Sequence, residues 1–353
     1  MAGRIPQRHG AVHSIQTDSK HAMSKPALSV LDLAPVTTDT PPSVALRRTV
    51  DLALLAERCG YARYWFAEHH SLGSVASSAP EILIAHVASH TKRIRVGSGG
   101  IMLPNHAPLR VAEAFQTLAA LYPGRIDLGI GRAPGSDRAA SMAMRAADGE
   151  HFSQLMTEML ALSRGKLLAS HPLHSVTVMP TDVPLPPVWI LGSSGASAAS
   201  AGAAGFGYGF ASHFSPAPPG PALNAYRSSF KPSDAFPEPH AVLAVAVVCA
   251  DTQEEAEDLA LSMELTWLRI TRGEFLPLPS REEARAYPWT DVERESLRRQ
   301  RGPSIVGTPD LVQEQLQAMA AECGANELMV VSNISDHAAR LRSYELLGQA
   351  FAQ

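Results

Sequence analysis

Glu68-His69-His70 stands directly behind an aromatic run, residues 61–67 (YARYWFA). A histidine held at the end of a strand can take or give a proton near neutral pH. Neighbouring strand residues point to opposite faces, so one of the two imidazoles is expected to face a site. A structural histidine would look the same. A metal fits less well, because no H-E-x-x-H spacing stands nearby. Glu68 and His106 suit hydrogen-bonding support better than reaction. A second group is Arg132 with the turn Gly192-Ser193-Ser194-Gly195 and Ser197 just behind it. A strand-to-helix turn of this kind offers free backbone N–H groups, its hydroxyls add donors, and an arginine supplies a bidentate cation. Together they suit a phosphate. A capped helix and a surface arginine would read alike. A third group is Gly97-Ser98-Gly99-Gly100, where glycines permit close approach of a flat ligand to the backbone, or simply a tight turn.

The elements that must position these groups are legible from periodicity. Strand-like runs fall at residues 27–33, 61–67, 94–96, 126–130, 188–191, 206–211, 241–248 and 327–331, and helical spacing follows each. Such alternation indicates a parallel sheet. Eight units in 353 residues favour an α/β fold of the (β/α)8 TIM barrel type over an open sheet. The first βα loop lacks the G-x-G-x-x-G of a dinucleotide-binding fold. In a barrel all strand C-termini share one mouth, which would collect Asp32, Glu68, His69, His70, Ser98, Arg132, Ser193, Ser194, Ser212 and His213. Insertions at residues 171–187 and 272–304 lie in the later βα connections and are candidate lids. Ser43, either Asp251 or Thr252, and Thr308 are expected helix caps, and Gly60 and Gly324 expected helix stops.

Residues 1–25 are polar and lack an apolar signal-like core, so they read as a disordered N-terminal extension to a single barrel domain at 26–353. The chain is 45% hydrophobic with a net charge of −4, which gives no electrostatic reason to expect nucleic acid or an anionic membrane. No apolar run approaches the roughly 18 residues of a membrane span. Cys59, Cys249 and Cys323 are far apart and read as reduced, buried thiols of a cytoplasmic protein.

The order of motifs resembles the bacterial luciferase-like flavin monooxygenases. Glu68-His69-His70 follows an aromatic strand. Gly97-Ser98-Gly99-Gly100 precedes Leu103-Pro104, Pro108-Leu109-Arg110 and Ala112-Glu113, and Gly124-Arg125 leads into Gly129-Ile130-Gly131-Arg132. The Gly192–Ser197 turn and Ile305-Val306-Gly307-Thr308-Pro309 agree with it. The resemblance runs from about Leu28 to the C-terminus and is strongest in the first half.

That resemblance implies FMN at the barrel mouth. Gly99-Gly100, with Ser98 beside them, falls where the family often has a non-proline cis peptide against the flavin ring. Arg132, Ser193, Ser194 and Ser197 fall at phosphate-binding positions, although the luciferase subunit has an acidic residue where this chain has Ser193. His69 falls at the catalytic histidine. The implied activity is a monooxygenase. An NAD(P)H:flavin reductase supplies reduced FMN, O2 adds at flavin C4a, and a small apolar organic substrate is oxygenated. Family members are commonly homodimers. Related barrels transfer hydride with a deazaflavin, and a non-catalytic flavin-binding protein is a third reading. The joint presence of His69 and Arg132 argues against the last.

Overall fold

The computed structural model describes residues 25–300 and 304–352. Eight strands run in chain order: β1 Ala27–Asp32, β2 Arg63–Phe66, β3 Arg95–Ser98, β4 Ile126–Gly131, β5 Val188–Gly192, β6 Gly207–Ala211, β7 Ala241–Cys249 and β8 Glu327–Val331. Each pairs in parallel with the next, and β8 pairs with both β7 and β1. The sheet therefore closes into a (β/α)8 TIM barrel, as the alternation of runs predicts. Side chains divide between two apolar cores with a period of two. On β7, Leu243, Val245 and Val247 pack outward beneath the helices, while Val242, Ala244, Ala246 and Val248 belong to a second cluster with Leu31, Trp65, Trp189 and Met329.

Two short strands escape the periodicity. Ile101–Met102 pairs with β4, and Ser304–Gly307 extends the sheet from the far end of β7. The first reveals a bulge. Gly97 lies opposite Asp127, yet Ile101 lies opposite Ile130, so one extra residue is accommodated between those points. The Gly99–Gly100 bond within it is cis.

The inner layers differ with depth. At the N-terminal end, Arg63 donates to Asp127 at 2.9 Å and to Glu327 at 2.9 Å, His240 donates to Glu327 at 3.0 Å, and Ser29 also bonds Glu327. Trp65 donates to Asp127 at 3.2 Å, and Trp189 stacks under the Arg63 guanidinium at 4.6 Å. This network plugs the floor. Towards the mouth, β4 and β6 turn Gly129, Gly131, Gly209 and Ala211 inward, alternating with outward Ile130, Tyr208 and Phe210. Small inward side chains leave the space that becomes the cavity.

Several local expectations need correction. The first helix, Pro42–Arg58, is capped at Pro41 with proline at its start, and Ser43 lies inside it. Thr252 caps through its side chain, whereas Thr308 holds the cap position without that bond. Gly60 and Gly324 do take left-handed conformations, at φ +80° and +68°. Among the described residues, neither insertion lines the cavity. Residues 171–187 pack on the helix Pro108–Leu121, where Gln116 donates to the Pro180 and Val183 carbonyls. Residues 272–300 lie along the helix Gln253–Thr271, through Arg281 and Arg285 on Asp258, and against the loop after β1, through Leu278 with Val36 and Thr38. The N-terminal extension, all but Lys25, falls outside the described residues. Among the described residues all three cysteines are free, with Cys249 and Cys323 buried, and no helix is long and apolar enough to cross a membrane.

Candidate active site

A cavity of about 710 Å³ opens at the C-terminal ends of the strands. Its deep wall is Leu31, Trp65, Gly99, Val242, Ala244 and Met329. Its mouth holds His69, Arg132, Ser193, Ser194, His213 and Phe214. The helix Phe152–Ser163 covers it with Phe152, Met156 and Leu160, so the lid-like element follows β4 and not the later insertions.

His69 enters from the end of β2. Its Nδ1 lies 3.2 Å from the Gly135 carbonyl. A carbonyl only accepts, so Nδ1 carries the proton and Nε2 presents a lone pair. Burial holds the imidazole below its ordinary pKa, against the opposing pull of the Gly135 carbonyl and Glu68. His69 is therefore a neutral base whose Nε2 has no protein partner among the described residues. His70, in the irregular segment that follows β2, turns the other way and donates to Glu68 at 2.8 Å.

Glu68 is fully buried and anchors the mouth. Its carboxylate accepts from His70, from His106 at 2.9 Å, from the Met102 N–H at 2.8 Å and from Asn105 at 3.1 Å. Burial alone would raise its pKa, but the donors outweigh it and hold it low. His106 responds oppositely: burial lowers it, and Glu68 raises it further. Asn105 also donates to the Pro134 carbonyl at 2.9 Å, and the His70 N–H to the Gly135 carbonyl at 3.1 Å. Gly135 sits at φ +63°, and a Cβ there would lie 2.6 Å from the Glu68 carbonyl. The loop after β4 is thus laced to the end of β2, which fixes the His69 tautomer. Both imidazoles donate to Glu68, consistent with its supporting role. Among the described residues no group of three His, Cys, Asp or Glu could hold a metal ion.

Arg132 and the serine turn sit side by side because Gly131 pairs with Leu191 across β4 and β5. Arg132 is exposed to the mouth and makes no ion pair among the described residues. Ser194 caps the helix Gly195–Ala203 without spending its hydroxyl. The N–H groups of that first turn have no acceptor within the helix. The Ser197 hydroxyl is already engaged with the Ser194 carbonyl at 3.0 Å and near Tyr208 at 3.3 Å, leaving its N–H. An unpaired cation, free hydroxyls and unpaired N–H groups at one end of a cavity suit a phosphate.

The family model for luciferase-like monooxygenases matches residues 27–327. This chain belongs to the luciferase-like monooxygenase family. A luciferase-like monooxygenase of Escherichia coli (strain K12) is 42% identical over 323 residues, 91% of this chain and 95% of that protein. An N-acetyl-S-alkylcysteine monooxygenase of Bacillus subtilis (strain 168) is 34% identical over 92% of this chain and 97% of its own length. The crystal structure of apo-MsnO8 is 40% identical with a TM-score of 0.84, covering 93% and 98% of the two chains. At 20% identity and a TM-score of 0.68, the oxygenating constituent of the 3,6-diketocamphane monooxygenase of Pseudomonas putida, in complex with FMN, shares the fold over 93% and 98% of the chains. So does an F420-dependent secondary alcohol dehydrogenase, at 13% and 0.63 over 93% and 99%.

Within this luciferase-like barrel the remaining positions separate clearly. Gly99 lines the cavity. Gly100 and Ser98 do not. The Ser98 hydroxyl donates to the Gly129 carbonyl at 2.8 Å and accepts from its N–H at 3.0 Å, so it ties β3 to β4 beside the bulge. Asp32 is not at the mouth. Its carboxylate turns outward beneath the helices to the Ala34 N–H, Tyr64 and Arg340. His213 does line the cavity, as its place just beyond a strand end predicts.

Proposed function

We propose that this chain is an FMN-dependent monooxygenase that uses reduced FMN and O2 to oxygenate a small organic substrate of largely apolar character. The observation that carries the reading is one cavity holding both Arg132 beside the serine turn and the Nε2 of a neutral His69, each without a partner among the described residues. Bound reduced FMN would supply the electrons and the activation of oxygen. The chain's own residues do the rest. Arg132, the Ser193 and Ser194 hydroxyls and the N–H groups through Ser197 would hold the phosphate. Gly99 offers a wall without a side chain for the flat ring, and a Cβ there would meet Leu31 Cδ1 at 2.7 Å. Ser98 and Gly100 shape that wall from behind it.

His69 would accept or return a proton at the reacting centre through Nε2. The apolar wall of Leu31, Trp65, Val242 and Met329 keeps water from that centre. Two parts of the proposal rest on the family and not on the site: an NAD(P)H:flavin reductase as the source of reduced FMN, and a homodimer as the assembly. The phosphate assignment is tested by titrating FMN and riboflavin into the wild type and Arg132→Ala. Loss of one charge-assisted contact should weaken FMN about 10- to 100-fold and leave riboflavin nearly unchanged. Equal losses for both ligands would remove Arg132 from phosphate binding.

A further inference from the structure

Apart from Glu150, Ser153 and Thr157 on the covering segment and Ser200 on the helix behind the serine turn, the cavity's polar side chains stand in two places. One is Arg132 with the serine turn. The other is His69 with His213, which come from β2 and from just beyond β6, four strands apart in an eight-strand barrel. The wall around these two rings is apolar: Leu31, Trp65, Val242, Ala244 and Phe214. The His213 ring stands edge to face on Phe214, with centroids 4.7 Å apart. Its Nδ1 is buried and makes no hydrogen bond of ordinary geometry among the described residues, and the Ala244 backbone is a polar neighbour of the ring. Burial first, and then the neighbouring His69, push His213 down to about 4, against the opposing pull of the Ala244 backbone. Both rings are therefore neutral at physiological pH. Neutral imidazoles can exchange hydrogen bonds with a hydroxyl, carbonyl or amide, but they give a carboxylate no counter-charge. Arg132 is the one cation among the lining residues.

We propose that His213 is a specificity-determining residue: together with His69 it binds the single uncharged polar group of a substrate whose remainder is apolar. The inference rests on the functional reading above in taking this cavity as the substrate site. It assigns to His213 a selective role that the phosphate end and His69 do not cover.

The test uses 1-octanol and octanoate, two probes with one chain length and different head charge, followed by quenching of the tryptophan fluorescence to which cavity-lining Trp65 contributes. FMN binding to each variant is measured in parallel by calorimetry. The wild type should bind 1-octanol at least about tenfold more tightly than octanoate. His213→Phe should weaken 1-octanol by about tenfold, the loss of one hydrogen bond, while His213→Gln keeps it within about threefold. FMN affinity should be the same in all three proteins. The inference is overturned by equal binding of the two probes, by no binding of 1-octanol, or by an unchanged affinity in His213→Phe. If the probes behave as expected but no variant binds FMN, the flavin reading fails alone. If FMN binds and the probe contrast is absent, the inference fails alone.

Discussion

His69 is defined by the nitrogen that does not face the cavity. The Gly135 carbonyl takes the Nδ1 proton and leaves Nε2 as the base. Removing that base should leave flavin affinity intact, because the phosphate contacts lie elsewhere, and lower product formation by about 10²-fold or more. Flavin titration and turnover of His69→Ala separate the two effects, and unchanged turnover would take His69 out of the mechanism. The pH dependence has a definite sign. A base held below the ordinary histidine value of 6.5 stays deprotonated on mild acidification. The acid limb of the kcat profile should therefore fall below pH 6.5, and a limb above it would contradict a buried His69 that is neutral with its proton on Nδ1. Much of this was legible in sequence, since Glu68-His69-His70 at a strand end announces one inward imidazole and a carboxylate support. Asp32 was not, because nothing in its neighbours reveals that Tyr64 and Arg340 wait for it on the outer face.

The unit from β3 to β4 decides the shape of the site. Its bulge sets Gly99 on the cavity wall and packs Gly100 against β4 and β5. A Cβ on Gly100 would lie 2.6 Å from Leu191 Cδ1 and 2.8 Å from the Gly129 carbonyl. Gly100→Ala should thus cost about 1–3 kcal/mol, read from the denaturation midpoint, and weaken flavin binding with it. Wild-type stability and affinity would mean the bulge is more pliant than its packing indicates. The glycine cluster was visible in sequence, but the extra residue in the ladder was not, since register depends on the partner strand. The glycines of β6 read as weaknesses in a strand and turn out to provide volume. The insertions read as lids because length and polarity mark an excursion from the barrel without saying which side it covers. The helix Phe152–Ser163 covers the cavity instead, with Phe152, Met156 and Leu160.

At the scale of the whole molecule, closure of the barrel puts a charge network at the floor and the chemistry at the mouth. Alternating runs were enough to foresee eight strands and their order. The floor was hidden because Ser29, Arg63, Asp127, His240 and Glu327 come together only when β8 closes on β1. Burial would raise Glu327, but Arg63 and then His240 hold it down to about 2. Its folded pKa lies below the unfolded value of 4.5, so its contribution is complete above pH 4.5 and is lost as pH falls from there towards 2. Glu327→Gln should lose about 3 kcal/mol at neutral pH and show a shallower decline of stability across that acid window, measured by denaturant unfolding at several pH values. On the reading proposed above, the cavity over this floor binds reduced FMN for reaction with oxygen. The most direct measurement is anaerobic titration of the protein with reduced FMN and, separately, with reduced coenzyme F420, followed by admission of oxygen while flavin absorbance is recorded. Reduced FMN should bind saturably and in preference to F420, and the bound flavin should reoxidise more slowly than, and distinctly from, free FMN. Binding of F420 alone, or reoxidation identical to free FMN, would contradict that reading.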